Sequence, residues 1–242
     1  MARRIEVKIA ATASEWQQAY QLVADNYQLR GYDGCDGDVH FTAHHALPDT
    51  VTFVALDNDR VVATMSLVAD NVLLGLPMES LYASEIKALR GEGRRLGEVT
   101  SLAAAGLTFR EFTPVFHELI RLMKQHHLRQ GGDTWVITVN PRHRNYYSRL
   151  LGYLPLGPRR DYAKVQGHPA EAYYVDVPLM RVKAADMHRR FFGVPVSEAS
   201  LLVPKMPAYL ALSLAERSCQ TDRRIVAEVL RFTSECGSPR RW

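Results

Sequence analysis

One carboxylate is set apart by its surroundings. Glu98 lies in Leu96-Gly-Glu-Val-Thr-Ser-Leu-Ala, a run of apolar and small residues that reads as a strand from Leu96 to Ala103. With a two-residue period Glu98 shares a face with Leu96, Thr100 and Leu102. A carboxyl on such a face loses water, so its pKa rises and it becomes suited to take a proton near neutral pH. The structural alternative pairs it with Arg94, Arg95 or another arginine. Thr100 and Ser101 offer hydroxyls to an acceptor or a bridging water, or bond only locally. His143 stands at the start of a helix, to shuttle a proton or to cap the helix. Arg90, Arg94 and Arg95 have few acidic neighbours in the sequence, and Arg142, Arg144 and Arg149 add to the same charge. Such a set is either a solvated face or a site for a carboxylate or an acidic partner. Arg30, at the end of the first helix, is another carboxylate-binding candidate.

Several other chemistries find no support in the sequence. His44-His45 and His126-His127 are adjacent pairs, which on regular structure cannot both face one site. His40 and His44 lack the HExxH glutamate, so no metal site is expected. There is no G-x-S-x-G elbow, no GxGxxG and no Walker loop. Cys35, Cys219 and Cys236 are three, far apart and without CxxC. That argues against a disulfide framework and for a reducing compartment. The acids in the loop from Arg30 to Asp38 lack the spacing and closing Glu of an EF-hand.

The elements that must hold these residues can be read in order. Ile5 to Ala10 alternates as a strand, and a helix capped near Ser14 runs to about Leu29. Val51–Leu56 and Val61–Val68, separated by Asp57-Asn-Asp-Arg60, predict a β-hairpin. A short amphipathic helix covers Tyr82 to Arg90. After the Glu98 strand comes the clearest helix, Phe112 to His127, then a strand Thr134–Val139, a helix Arg144–Leu151 ended by Gly152, and a strand Tyr173–Val177. This is an α/β (α+β) domain, a central mixed sheet flanked by helices, over residues 1–183. Residues 184–242 predict a C-terminal helical extension, with helices near Pro207–Arg217 and Thr221–Phe232.

Element order and two stretches carry a resemblance. The first runs from Glu85 to Ala103 and contains Gly97-Glu-Val-Thr-Ser-Leu. The second is Asn140-Pro-Arg-His-Arg-Asn-Tyr-Tyr-Ser-Arg-Leu-Leu-Gly-Tyr. From about Tyr20 to Pro178 the chain resembles long-chain N-acyl amino acid synthases of the FeeM type. These are acyltransferases of the GNAT fold, related to acyl-homoserine lactone synthases. The resemblance implies a GNAT-like domain and transfer of a fatty acyl group from acyl carrier protein to an amino acid. The donor would be an acyl-phosphopantetheine thioester, with no cofactor held by the protein. It implies Glu98 as the base. Leu102 would give an oxyanion-binding backbone N–H, and pantetheine would lie along the backbone of Ser101–Ala103 and Ile137–Val139. Tyr147 would protonate the leaving thiolate, with Tyr146 as its rival, because the count to Gly152 is one residue longer than the commonest GNAT spacing. Arg30, Arg94, Arg95, Arg142 and His143 are the substrate-binding candidates, together with Thr100, Ser101 and Leu102. Ordinary GNAT enzymes hold CoA pyrophosphate on a Q/R-x-x-G-x-G/A turn at a helix N-terminus. Here that place reads Leu102-Ala-Ala-Ala-Gly-Leu-Thr-Phe, without the motif, as suits a carrier-protein donor.

The chain has 242 residues, 47% hydrophobic and 23% charged, with net charge +4. That composition fits a globular protein and not a disordered or fibrous one. From Ala184 to Trp242 there are nine Arg/Lys and six Asp/Glu, so most of the charge excess belongs to the tail and gives no reason to expect nucleic acid. The N-terminus lacks an apolar signal region, and the apolar runs are far short of a membrane span. A cytoplasmic enzyme is expected, with membrane contact only through a lipid product. The alternatives are a CoA-dependent small-acyl GNAT enzyme, an acyl-homoserine-lactone-synthase-like enzyme, and a silent GNAT-like binding module with a basic tail.

Overall fold

The computed structural model describes residues 4–32 and 37–242; residues 33–36 of the acid-rich loop considered for calcium lie outside them. Seven strands form one sheet in the order β1-β2-β3-β4-β5-β7-β6. They are β1 (Ile5–Ile9), β2 (Val51–Asp57), β3 (Arg60–Ala69), β4 (Leu96–Ala104), β5 (Thr134–Val139), β6 (Leu154–Tyr162) and β7 (His168–Asp176). Only β4 and β5 are parallel; the other pairs are antiparallel. The helices are α1 (Ala13–Leu29), α2 (Glu79–Gly91), α3 (Phe109–Arg129), α4 (Arg144–Leu151), α5 (Val177–Lys183), α6 (Ala185–Phe192), α7 (Ala208–Arg217) and α8 (Arg223–Cys236). α1 starts two residues earlier than Ser14 predicts. Thr12 caps it, and Glu15 returns its carboxylate to the backbone N–H of Thr12 and Ala11.

Three apolar clusters fill the two faces of the sheet. On one face Val115, Phe116, Leu119, Ile120 and Met123 of α3 pack on Phe53, Met65, Trp135 and Ile137. On the other, Trp16, Tyr20 and Val23 of α1 meet Val54 and Leu56, and Tyr82, Ile86 and Leu89 of α2 meet Val68, Leu96 and Val136. Residues beyond 184 enter both layers: Phe191 and Leu201 join the α3 face, and Leu210, Leu214, Val226 and Val229 join the α1 face.

Several features differ from the sequence reading, among them α6, which it did not place. β6 escapes the pattern because it is an edge strand carrying Pro155, Gly157 and Pro158, which edges tolerate. α5 follows at once on β7, begun by Pro178 at a position that suits proline and capped by Asp176. Cys219 is disulfide-bonded, so the expectation of unlinked thiols does not hold for it. Sequence distance hid the approach behind this: the Arg217–Cys219 segment folds back against Gly37, where an added Cβ would stand 3.0 Å from Cys219 N. Cys236 is free and exposed.

The arginine cluster is not short of acids once the chain folds. Arg90 donates to both oxygens of Asp70, at 2.7 and 2.6 Å, and also to Glu79. Asp70 is buried and takes a second arginine, Arg241, at 3.2 Å, where the C-terminal residues cross the end of β3. Losing the acid leaves Arg90 and Arg241 without this buried partner. Asp70→Ala is therefore expected to destabilise the protein by about 3 kcal/mol in urea unfolding.

Candidate active site

The one parallel pair in the sheet is short. β4 and β5 pair at Leu96–Thr134, Gly97–Trp135 and Glu98–Val136, and no farther. β5 continues beside β7 to Val139, while β4 follows β3. α3 seats tightly where the strands are still joined. A Cβ at Gly97 would lie 2.7 Å from the His127 ring and 2.9 Å from Leu67, so only glycine fits. Beyond Glu98 the two strands part.

β4 also changes phase as it parts. Its register with β3 steps from Ser66–Thr100 to Thr64–Ala103, so Ser101 and Leu102 face the single residue Met65. Ser101 sits at φ 55°, the left-handed region that a serine seldom occupies. This bulge corrects the simple alternation. Leu102 and Ala104 pack toward α3, and Ala103 packs toward α1. Leu102 therefore does not share Glu98's face.

A cavity of about 1270 Å³ fills the parting. It reaches both faces of the sheet. On the α3 face Phe109, Phe112, Phe116, Ile120 and Met123 form one apolar wall, with Met65 and Ile137 opposite. On the other face it meets Asn26, Tyr27 and Arg30 of α1, and His44 and His45 of a 3-10 turn at Ala43–Ala46. The two adjacent histidines both reach the cavity because the turn is neither strand nor α-helix. Arg142, His143, Tyr146 and Tyr147 line it from the α4 side.

Eight of the ten residues singled out in the sequence meet at this cavity: Glu98, Thr100, Ser101, Leu102, Arg30, Arg142, His143 and Tyr147. Arg94 and Arg95 do not. Arg94 pairs with Asp176 at 2.6 Å, and Arg95 with Asp133 at 3.2 Å, both at the joined end of β4 and β5. Neither arginine pairs with Glu98. Arg144 is held by Glu171, which removes it from the supposed patch.

Glu98 is buried, and its Oε2 accepts the Met78 backbone N–H at 2.8 Å. Burial pushes its pKa up to about 8, against the smaller pull of that N–H and of Lys164. Lys164, on the β6–β7 connection, lines the cavity, and its Nζ donates to the Pro77 carbonyl at 2.8 Å. Burial lowers its pKa, and the charge of Glu98 partly opposes that shift. Sequence reading missed Lys164; only the folding of β6 onto β7 brings it near.

Ser101 Oγ lies 3.2 Å from His45 Nε2. Burial holds His45 well below the ordinary histidine range. His143 accepts from Arg142 Nε at 2.9 Å and makes no side-chain cap on α4, so the capping role is not realised. Burial, then the charges of Arg142 and Arg30, hold its pKa down. Arg30 donates to Asn26 Oδ1 at 2.6 Å. The Tyr147 ring stands edge-on to Tyr146 and Tyr153, and burial raises its pKa. The Tyr146 hydroxyl is buried with no hydrogen-bond partner among the described residues. Among the described lining residues the acids are Glu98 and Asp222, against Arg30, Arg142 and Lys164.

A mixed sheet whose central parallel pair opens into a through-cavity, flanked by helices, is the acyltransferase fold of GNAT type. Residues 18–176 match the family model of the N-acyl amino acid synthase FeeM, and the chain belongs to that family. It is therefore an N-acyltransferase. It is similar to the structure of FeeM, an N-acyl amino acid synthase from uncultured soil microbes, at 28% identity and TM-score 0.64. That match covers 74% of this chain and 94% of that one. The acyl-homoserine lactone synthase LasI shares the fold at 16% identity and TM-score 0.58, covering 81% and 99%. The CoA-dependent acyl-homoserine lactone synthase BjaI does so at 16% and 0.56, covering 93% and 99%. No curated protein sequence matches the chain. Among the described residues no helix is long and apolar enough to cross a membrane.

The buried carboxyl generates two expectations. Glu98→Gln, which can still accept from Met78 N–H, should lower the rate of amide formation by about 10²-fold or more. Its stability effect has a defined sign. The native carboxyl ionises near pH 8 and the unfolded one near 4.5. The stability that the neutral form contributes is whole below 4.5 and is lost as pH rises through 8. The variant escapes that loss. Its Tm relative to wild type should climb from about pH 5 to about pH 9, and a pH-independent difference would contradict the assignment.

Proposed function

We propose that the enzyme transfers a long acyl chain from an acyl carrier protein thioester to the α-amino group of an amino acid. The observation that carries this reading is the cavity through the sheet, apolar on one face and cationic on the other. Phe109 to Met123 spans about 21 Å of helix at 1.5 Å per residue. An extended chain advances about 1.2 Å per bond, so that length gives room for roughly 17 bonds, or about 18 carbons. On the opposite face Arg30, Arg142 and His143 suit the carboxylate of an amino acid.

The chemistry follows from the residues. An amino group arrives protonated and must be neutral to attack. Glu98, with a pKa of about 8, is close enough to an amine for that transfer to be nearly balanced, and Lys164 stabilises its anion. The amine nitrogen bonds to the thioester carbon, and the carbonyl electron pair moves to oxygen. When the pair returns, the C–S bond breaks. Tyr147, kept protonated by burial, gives the thiolate its proton and regains one from the amide nitrogen, which sheds its second proton as the C–S bond breaks; Glu98 releases the first to solvent.

The carrier-protein donor is favoured by the start of α3. Thr108 and Glu111 form a capping box there, and Glu111 Oε2 accepts from Thr108 N and Oγ1, both at 2.8 Å. An anion of the chain's own thus occupies the place where a CoA pyrophosphate would seek N–H groups. Phosphopantetheine on a carrier makes no such demand.

Purified enzyme should be given acyl carrier protein loaded with chains of graded length, or matched acyl-CoA, with a mixture of amino acids. N-acyl amino acids detected by mass spectrometry are expected to form fastest from carrier-bound chains of about 16–18 carbons, the length the α3 wall admits. Transfer confined to short acyl groups from CoA would overturn the reading. Arg142→Ala should raise KM for the amino acid at least about tenfold, the loss of a charged hydrogen bond.

A further inference from the structure

We propose that the Ser101 hydroxyl donates to the oxyanion that forms on the thioester carbonyl, and that His45 is the positioning residue that aims it. The inference rests on acyl transfer from a thioester, whichever carrier presents it. Its first support is the tautomer of His45. The backbone N–H of Thr42 lies 3.0 Å from His45 Nδ1, and the Thr42 hydroxyl is at the same distance. A backbone N–H can only donate, so Nδ1 accepts and carries no proton. The ring is neutral because it is buried without a counter-charge. Its one proton is therefore on Nε2, which faces Ser101 Oγ.

The direction of that bond excludes one role and defines another. His45 has no lone pair to offer Ser101, so this is not the dyad of an activated nucleophile. Ser101 accepts from His45 and keeps its own O–H to give. No second partner for Oγ is found among the described residues, and Ser101 lines the cavity. The hydroxyl is thus a donor, held on the protein side by one bond from His45.

Backbone geometry adds a second, independent support. The bulge brings Ser101, rather than Leu102, onto the face where Glu98 lies. The bulge keeps a serine at φ 55°, where glycine would rest more easily. Glu98 receives the amine proton on this same face, so the thioester carbon must lie in the gap between the strands. Its oxygen then has Ser101 beside it. As the C–N bond forms, the carbonyl pair moves to oxygen and accepts from Ser101 O–H. It returns as the C–S bond breaks, and the serine proton never leaves.

Ser101→Gly is the variant that removes the hydroxyl while easing the backbone. It should keep or raise Tm and lower kcat by about 10²-fold, with KM for the donor changed far less. His45→Phe should lower kcat to a similar degree. His45→Gln, whose amide can donate from the Nε2 position, should recover most of it. In the Ser101→Gly background His45→Phe should cost almost nothing further. Rates are measured with whichever thioester, acyl carrier protein or CoA, the wild type turns over. Inactivity with the first alone counts against the proposed donor and not against Ser101; inactivity with both overturns both readings. Additive losses, a Ser101→Gly variant with wild-type kcat, or an acyl adduct on Ser101 when the acceptor is omitted would each overturn the proposal.

Discussion

Everything in the site depends on where β4 lets go of β5. The parallel pairing stops at Glu98–Val136, its third pair. Had it continued, the sheet would be closed and α3 would lie on it as it does at Gly97. Instead the strands diverge, each kept in place by its other neighbour, β3 on one side and β7 on the other. The opening costs a few ladder hydrogen bonds. In exchange, a cavity passes through the middle of an otherwise well-packed sheet. His127 against Gly97 clamps one end of α3, so the other end can stand over the gap.

The electrostatics follow from the same geometry. Glu98 is the last residue of the pairing. It is deep enough to be stripped of water, yet it borders a space that reaches the surface. The fold gives it a single backbone N–H and a distant lysine, and no arginine. A carboxyl with an arginine at hand would ionise low and be useless as a base at neutral pH. The arginines of the preceding segment are engaged elsewhere: Arg90 with Asp70 and Glu79, Arg94 with Asp176, Arg95 with Asp133. These ion pairs fix α2 and the start of β4, and they leave Glu98 isolated.

Much of this was legible in the sequence, for identifiable reasons. The hairpin, the strand around Glu98, α3 and the α4 turn have strong local periodicity or clear stop residues, and they were placed within a few residues. Glu98 could be found because an acid among small apolar residues is unusual. What failed were statements that need a partner from far away. The arginine cluster read as unneutralised because Asp70, Asp133 and Asp176 come from other strands' ends. Simple alternation puts Leu102 on the wrong face because a bulge leaves little mark in a sequence, and Ser101 does not look like a residue at positive φ. Regular structure would keep His44 and His45 from facing one site, and a 3-10 turn does not obey that rule. Lys164 carries no signal at all until β6, an edge strand disguised by prolines, is seen to fold back.

The through-cavity has a consequence for traffic. In the proposed reaction the tail is on one side of the sheet and the charged head on the other, joined by an amide at the narrowest point. Such a molecule cannot fall sideways out of a cleft. It must travel lengthwise, like thread through a needle's eye, with either its head drawn across the apolar side or its tail drawn past Arg30 and Arg142. Once the carrier has left, the route with less desolvation is tail-last through the polar mouth. The bulk of the amino acid then hardly impedes departure, while each added methylene lengthens the haul. Chain length would thus be felt twice, once in the fit along α3 and once in the pace of release.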